Sequence, residues 1–254
     1  MVGLGLYLLY ALLLNVALSR AGYRASSDVG KAAGAASVPR PSRLLVVGAT
    51  GGAGRQLVSQ ALGRGYAVTA LVRDPQKIPA ELRARDGLSI SQGNVLDPES
   101  LNRAMREQDA VVSALGHKRW FGPSTIQSRG TENLLAAMAT AKVSRLVALT
   151  SLGLGDTAGR MGLLFSFFTL PVILPFYFWD KAKQERAIAE SRAVWTIVRA
   201  GTLTNGAKKG AVRQGPAVGN LLWGARISRA DVARFMLDQL ETSENVGRVV
   251  GVGG

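Results

Sequence analysis

The chain has 254 residues, of which 47% are hydrophobic and 19% charged, a composition that excludes wholesale disorder and allows one large domain. Its 31 Lys and Arg outnumber its 17 Asp and Glu, giving a formal net charge of +14. No basic stripe is interleaved with aromatic residues, so we expect an anionic membrane surface or a phosphate-bearing cofactor, and no nucleic acid, to account for this charge. The absence of cysteine excludes disulfides and thiolate chemistry.

The chain opens with an uncharged apolar stretch at residues 2–19, near the lower length limit of a membrane-spanning helix. Three interpretations remain open. The stretch is a retained membrane anchor, a cleaved signal peptide with Ala17-Leu18-Ser19 as its cleavage site, or part of an organelle presequence. We favour the retained anchor, because a signal peptide usually begins with basic residues and none precedes this stretch.

Positive charges follow the apolar stretch, at Arg20, Arg24 and Lys31. This distribution predicts that the chain after the anchor faces the cytoplasm. Residues 20–42 are mostly small and polar and include two prolines, which indicates a flexible linker between the anchor and the domain.

Beyond residue 42 the hydrophobic pattern alternates between strands and helices. Apolar runs typical of buried strands fall at Leu44–Val47, Ala67–Val72, Leu88–Ser91, Ala110–Ala114, Leu146–Thr150, Thr196–Val198 and Val249–Val252. Helical patterns fall between them, at Gly54–Leu62, Pro98–Met105, Thr125–Ala141, Lys181–Ser191 and Arg229–Leu240. Such an alternation is typical of a parallel sheet covered on both faces, so we predict an α/β, Rossmann-type doubly wound domain over residues 43–254.

A glycine-rich turn follows the first predicted strand, in LLVVGATGGAGRQLV at residues 44–58. Glycine lets backbone N–H groups approach a pyrophosphate closely, and a helix N-terminus favours negative charge. The alternative is a tight turn that holds no ligand. The position between a strand and a helix favours a dinucleotide site, formed by Gly48, Thr50, Gly51, Gly52, Ala53 and Gly54.

Two arginines indicate the choice of cofactor. Arg73 follows the second predicted strand, where sites that prefer NAD usually place an acid, and Arg55 follows the last glycine of the turn. A pair of guanidinium groups can bind the 2′-phosphate of NADP from two sides. Asp74 is a competing candidate that could bind a ribose. We expect NADP(H), with Arg55 and Arg73 on its 2′-phosphate.

The chain resembles the atypical short-chain dehydrogenase/reductases, in the NAD(P)H-binding group that includes NmrA-like proteins and flavin/biliverdin reductase B. The resemblance covers residues 43–254 and is carried by GATGGAGRQLV (48–58), ALVRDP (70–75), GNVLDPESL (93–101), DAVVSALG (109–116), GPSTIQSRGTENLLAAM (122–138), RLVALTSLG (145–153), WTIVRAGTLT (195–204) and ISRADVARFML (227–237). It implies that Asn94 and Val95 lie near the adenine, although relatives often carry Asp at position 94. It also implies that Ala114, Leu115 and Gly116 lie beside the cofactor ribose.

Three residues are candidates for the chemistry. Ser151 follows the fifth predicted strand, where the family places its active-site Ser or Thr, and could hold a substrate carbonyl. Tyr177 and Lys181 in YFWDK have the Y-x-x-x-K spacing of the core short-chain dehydrogenases and share one face of a helix. We expect the Lys181 ammonium to lower the pKa of the Tyr177 phenol, so that the tyrosine can transfer a proton.

Other catalytic arrangements find less support. His117 is the one histidine and lies in a loop after the fourth strand, where it would lie over the nicotinamide. One histidine and no cysteine leave no cluster of metal ligands, so we expect no metal site. No G-x-S-x-G turn supports a serine nucleophile.

A second uncharged stretch, MGLLFSFFTLPVILPFYFW, spans residues 161–179. A membrane crossing here would separate the strands on its two sides, which must join one sheet, and Pro171 and Pro175 argue against a continuous helix. A buried segment is one interpretation. We favour an apolar lid that covers the site and touches the bilayer surface.

Two functions remain open. The first is a membrane-associated NADPH-dependent reductase that acts on an apolar carbonyl, quinone or flavin-like small molecule. The second is a non-catalytic NADP(H)-binding protein that senses redox state or assists the assembly of a membrane complex, as the NmrA-like resemblance implies. Fold alone does not separate them, and the oligomeric state stays open.

Overall fold

The computed structural model describes residues 2–23, 40–117, 122–206, 210, 212–215 and 217–254. An N-terminal helix, α1 (Val2–Ala21), precedes a sheet whose strands are β1 (Arg43–Val47), β2 (Ala67–Val72), β3 (Leu88–Gln92), β4 (Ala110–Ser113), β5 (Arg145–Ser151), β6 (Val194–Ala200), β8 (Arg213–Gln214) and β10 (Arg248–Gly253). The helices between them are α2 (Gly52–Gly63), α3 (Ala80–Arg83), α4 (Pro98–Met105), α5 (Ile126–Ala141), α6 (Pro175–Ala189) and α7 (Arg229–Asp238). The short strands β7 (Thr202–Thr204) and β9 (Arg226–Ser228) form a separate parallel pair.

The strand order of the sheet is β3-β2-β1-β4-β5-β6-β10-β8, and the strands are parallel except for β8, which pairs antiparallel with β10. The order reverses between β1 and β4, and ligands of doubly wound sheets bind outside the carboxyl ends of the strands at such a point. This confirms the predicted α/β, Rossmann-type fold. The glycine-rich turn follows β1 directly and therefore lies at the point of reversal.

Helices cover both faces of the sheet, which explains why its central strands are apolar without alternation. One core packs α2 and α7 against the sheet, through residues such as Leu57 and Phe235. A second core on the opposite face packs α4, α5 and α6, through residues such as Leu101, Leu134 and Ile188. β4 is buried along its whole length, as expected for a strand covered on both sides.

The apolar stretch at residues 161–179 is not one helix. Met161 and Gly162 form isolated β-bridges with Asn220 and Trp223. A π-helix follows at Phe165–Ile173 and contains Pro171. The next helix, α6, starts at Pro175, which confirms that the prolines interrupt the helix. The sequence placed the start of α6 six residues too late, at Lys181, because the apolar run hides the helical periodicity of its first two turns.

α1 packs against the apolar stretch at residues 161–179. Within the described part of the chain, Gly3–Ala21 is the one helix with the length and composition of a membrane span. Leu18 lies in an apolar cluster with Leu154, Leu170, Leu174 and Phe178.

The start of the predicted linker differs from the structure. The helix continues through Ala21, and Gly22 packs so closely that a Cβ there would lie 2.4 Å from the backbone nitrogen of Gly155. Tyr23 makes an edge-to-face contact with Trp195. The remainder of the predicted linker, with Arg24 and Lys31, falls largely outside the described residues.

Candidate functional site

The glycine-rich turn has a backbone that other residues could not adopt. Gly48 has a φ of +80°, and a Cβ there would lie 2.5 Å from the carbonyl oxygen of Ala114. A Cβ on Gly54 would lie 2.0 Å from the carbonyl oxygen of Gly48. These two glycines therefore hold the turn against the end of β4.

The N-terminus of α2 is open to an anion. Gly51 is its N-cap residue, no side chain caps this end, and the first turn carries no acid. A Cβ on Gly51 would meet one atom within 4 Å, the carbonyl oxygen of Gly48 at 3.3 Å, and would otherwise enter open space. The helix dipole and the N–H groups at such an end attract a phosphate. Thr50 and Ala53 flank the same turn.

Arg229 lies on the other side of this turn. It was not predicted from the sequence as a site residue. A Cβ on Gly52 would lie 2.5 Å from the Cδ and Nε atoms of Arg229, so this glycine makes room for the arginine. Arg229 donates a hydrogen bond to the side chain of Asn205 at 2.6 Å. Together with Arg55 these residues line a cavity of about 240 Å³ beside the turn. Arg229 begins α7, and the sequence offers no signal that this helix starts beside the turn.

Positive side chains surround the end of β2. Arg55 donates to the backbone carbonyl of Lys77 at 3.1 Å, and Arg73 is exposed directly after the strand. Asp74 accepts from the backbone N–H of Gln76 at 3.0 Å and pairs with the ammonium of Lys77 at 3.5 Å. The acid that could have bound a ribose is thus engaged in its own turn, whereas the two arginines stay on the surface.

The loop after β3 is shaped by its own hydrogen bonds. The side-chain oxygen of Asn94 accepts from the N–H of Leu96 at 3.1 Å, and Ser100 Oγ accepts from the N–H of Asn94 at 3.0 Å. Val95 is buried, and its carbonyl accepts from the side-chain amide of Asn133 at 3.0 Å. Asn94 is exposed at this edge, so its place near the adenine remains an expectation.

Lys181 lies where the carboxyl ends of β4 and β5 meet. Its Nζ atom donates to the carbonyls of Leu115 at 3.4 Å and Leu149 at 3.3 Å, and to the side chain of Gln184 at 3.1 Å. Complete burial lowers its pKa to about 8, against the opposing effect of the Glu185 and Asp180 carboxylates. Of the residues after β4 that the resemblance implies for the ribose, Ala114, Leu115 and Gly116, Leu115 contacts the lysine through its carbonyl.

Tyr177 and Lys181 share a helix face as predicted, but the predicted effect on the tyrosine is wrong. The Nζ atom lies over the face of the Tyr177 ring, 5.8 Å from its centroid. Burial, with a further contribution from Asp180, raises the pKa of Tyr177 to about 12. The phenol is therefore protonated at neutral pH. It faces the loop after β4, since a Cβ on Gly116 would lie 3.4 Å from its oxygen.

His117 and Ser151 complete this edge. The ring of His117 lies 5.0 Å from the ring of Tyr177, so the loop after β4 folds back over the tyrosine. Ser151 is partly exposed at the last position of β5, opposite Ala200 of β6. The structure thus brings Tyr177 and Lys181 together at the edge where Ser151 lies.

A buried network of charged side chains lies behind the site. It was not predicted from the sequence either. Arg199 of β6 is fully buried and donates to both carboxylate oxygens of Glu185, at 2.9 and 2.7 Å. Glu185 also accepts from the hydroxyl of Thr150, the neighbour of Ser151, at 2.7 Å. Asp180 accepts from the N–H groups of Gln127 and Ser128 and so caps α5. These partners come from distant parts of the chain, and no local pattern reveals them.

Among the described residues no group of three or more His, Asp or Glu side chains could hold a metal ion. The glycine-rich turn, the uncapped helix and the strand reversal together define a dinucleotide-binding domain of the Rossmann class. A family model described as NAD(P)H-binding matches residues 48–243, and the chain belongs to this family.

Individual proteins are similar to this chain in sequence or in fold. An uncharacterised chloroplast protein of Arabidopsis thaliana is 29% identical over 223 residues, covering 84% of this chain and 77% of its own length. The photosystem II assembly factor Ycf39 of Synechocystis is 38% identical over 108 residues, which span 41% of this chain and 32% of that protein. A short-chain dehydrogenase/reductase from Veillonella parvula, solved in complex with NADP, shares the fold with a TM-score of 0.71 and 19% identity, covering 84% of this chain and 95% of that chain.

The family therefore confirms the cofactor class and the resemblance found in the sequence. The residues present fit the dinucleotide, because the helix that starts at Gly51 has no side-chain cap and no acid in its first turn. The roles of the individual site residues stay predictions.

Proposed function

We propose that the protein is a membrane-associated NADPH-dependent reductase that acts on an apolar carbonyl, quinone or flavin-like substrate. The observation that carries the proposal is the arrangement of Tyr177 and Lys181 at the carboxyl edge of β4 and β5, beside a glycine-rich turn suited to the cofactor. The fold alone would not support a reaction, since it serves many functions.

Bound NADPH would supply a hydride, and the chain's own residues would supply the proton and the positioning. Tyr177 keeps its proton because its pKa is raised to about 12, so it would donate a hydrogen bond to the substrate oxygen and then the proton. The Lys181 ammonium, held by the Leu115 and Leu149 carbonyls, would stabilise the negative charge that develops there. Ser151 would orient the same oxygen.

The choice of NADPH rests on the end of β2. Arg55 and Arg73 would bind the 2′-phosphate, and Asp74 is occupied by Gln76 and Lys77. An apolar substrate is supported by the uncharged stretch at 161–179, which contains Tyr177. We further propose that the domain faces the cytoplasm, where NADPH is available.

The alternative is a non-catalytic NADP(H)-binding protein that senses redox state or assists assembly. It is supported by the similarity to Ycf39, an assembly factor for photosystem II.

Turnover separates the two functions. The full-length protein in detergent would be mixed with NADPH and a panel of quinones, flavins and aldehydes, because α1 packs on the domain and should be kept. The reductase predicts oxidation of NADPH that depends on one class of acceptor and falls in Tyr177→Phe. Tight NADPH binding without turnover on any acceptor would favour the alternative.

A further inference from the structure

Two prolines remove backbone donors from the segment that α1 contacts. Pro171 lies inside the π-helix Phe165–Ile173, and Pro175 opens α6. A proline has no N–H, so Pro171 offers no donor to the carbonyl of Ser166, its partner five residues earlier in the π-helix. Pro175 likewise offers none to the carbonyl of Pro171, four residues earlier. Because a buried carbonyl without a donor costs free energy, these two carbonyls gain from donors outside the segment.

α1 provides a donor to both of these carbonyls and to the carbonyl of Phe167. The side-chain amide of Asn15 donates to the carbonyl of Ser166 at 2.9 Å. The hydroxyl of Tyr7 donates to the carbonyl of Phe167, and that of Tyr10 to the carbonyl of Pro171 at 3.2 Å. Tyr7, Tyr10 and Asn15 are three of the four polar side chains within residues 2–19. A leader that is cleaved off would have no reason to match these carbonyls.

The contact continues to the end of the helix. Leu18 is fully buried in the cluster with Leu170 and Phe178, and Arg186 donates to the carbonyl of Ala21 at 3.2 Å. From Tyr7 to Ala21 the helix rises about 21 Å at about 1.5 Å per residue. α1 therefore lies along the domain over most of its length instead of projecting from it.

The other side of α1 belongs to a large exposed apolar surface, which we call the apolar platform. It consists of the outer face of α1, residues 221–223 and the exposed apolar residues between 163 and 179, which are Leu163, Leu164, Phe168, Val172, Phe176 and Trp179. Leu6 and Leu13 are 63% and 58% exposed, and Leu164 and Trp223 are each 76% exposed. The bridge between Gly162 and Trp223 joins the second and third parts. A monomer rarely leaves such a surface in water.

We propose that the apolar platform embeds the protein in one leaflet of a lipid bilayer, with α1 lying in the membrane plane and not crossing it. This rests on the membrane association proposed above. α1 is long enough to cross, at about 30 Å for its 20 residues. The π-helix is bound to the middle of α1. If α1 crossed the bilayer, the π-helix and the domain that holds it would therefore lie at the bilayer centre.

Lipid is the occupant that the platform fits. Residues 161–179 carry no charge, and the surrounding chain has a net charge of +14, which suits an anionic leaflet. The exposed Trp179 and Trp223 are side chains that favour the membrane–water interface. Apart from Tyr7, Tyr10 and Asn15, which contact the domain, and Ser19, residues 2–19 are apolar, as expected for a helix between lipid and a protein core.

The test uses single cysteines, which the natural chain lacks. The full-length variants Gly3→Cys, Leu13→Cys and Leu164→Cys are labelled with the environment-sensitive dye NBD and added to sealed anionic vesicles. A Cβ at Gly3 meets nothing within 4 Å, so the label fits. Glu132→Cys, exposed on α5, is the matched control. We expect a blue shift at positions 3, 13 and 164, absent at 132, and quenching of all labels by external dithionite, which does not cross lipid.

Three outcomes would overturn the proposal. Protection of the label at position 3 until the vesicles are lysed would mean that α1 crosses. The absence of a blue shift, with a dimer in solution, would mean that a second copy covers the platform. The depth of each label is measured from its quenching by brominated lipids. Unequal depths at positions 3 and 13, with position 13 at the bilayer centre, would also contradict a helix that lies in the membrane plane.

The three donors are tested by the triple variant Tyr7→Phe, Tyr10→Phe and Asn15→Leu, which keeps α1 apolar. We expect a lower melting temperature than in the outward-facing control Leu6→Phe, and α1 released to cross in a fraction of molecules. Equal melting temperatures and equal quenching by dithionite in the triple variant and in Leu6→Phe would overturn the role of the donors. If the triple variant does not fold, the labelled chains with all donors present still decide the topology.

The proposed membrane topology and the proposed reductase activity can be refuted independently of each other. A protein that reduces its substrate but crosses the bilayer would overturn only this inference. A protein seated in one leaflet that shows no turnover would overturn only the reductase.

Discussion

Lys181 makes the proposed reaction sensitive to pH in a direction that the structure fixes. Its pKa is lowered from 10.5 to about 8 by burial, so the charged form is disfavoured in the folded protein. If the ammonium stabilises the developing negative charge, kcat/KM falls about tenfold per pH unit above about pH 8. Tyr177 does not contribute to this decline, because its pKa is about 12.

The same shift affects folding, with a sign that follows from proton counting. Between pH 8 and 10.5 the unfolded chain retains a proton on Lys181 that the folded chain has lost. The free energy of unfolding therefore rises with pH across this window. A shift of this size amounts to about 3 kcal/mol, at about 1.4 kcal/mol per pH unit.

The assay compares wild type with Lys181→Met and with Lys183→Met, an exposed lysine two positions away on the same helix. Lys181→Met should lose both the decline in kcat/KM near pH 8 and the rise in stability measured by denaturant unfolding, whereas Lys183→Met should keep both. A decline that persists in Lys181→Met, or one that begins only near pH 10, would refute the reasoning.

Three further outcomes follow from the site. Gly51→Val should abolish NADPH binding measured by fluorescence titration and lower the melting temperature only slightly, since its Cβ would lie 3.3 Å from the Gly48 carbonyl, whereas Gly54→Ala should lower the melting temperature far more because its Cβ would lie 2.0 Å from the same carbonyl; a Gly51 variant that binds as tightly would contradict the site. Arg73→Ala with Arg55→Ala should weaken NADPH by about 1–3 kcal/mol and spare NADH, and an equal loss for both cofactors would remove the 2′-phosphate assignment. Tyr177→Phe should lower kcat without changing NADPH affinity, and an unchanged rate would reduce the tyrosine to packing.

The parts of the fold that local chemistry determines were predictable from the sequence. β1 and its glycine-rich turn were found because an apolar run and glycines at fixed spacing lie side by side in the chain. The helix Pro98–Met105 was found with its bounds, since Asp97 caps it and Pro98 opens it. The shared face of Tyr177 and Lys181 follows from helical spacing alone.

The parts that depend on distant partners were not predictable. The direction of the Tyr177 pKa shift was missed because it depends on burial by the folded chain and on Asp180. Arg229 meets Gly52, and Arg199 meets Glu185, only after the sheet is assembled. The role of the polar residues in α1 likewise appears only when they are seen opposite the carbonyls near Pro171.

The most direct test of the central claim is hydride transfer by the full-length protein in anionic bilayers, followed as loss of the absorbance of reduced nicotinamide. An apolar quinone or carbonyl dissolved in the bilayer is the acceptor, and Tyr177→Phe is the matched variant. The account predicts NADPH oxidation that requires the acceptor, is slower with NADH, and falls in the variant. Binding of NADPH with no oxidation on any acceptor, or equal rates in the variant, would contradict it.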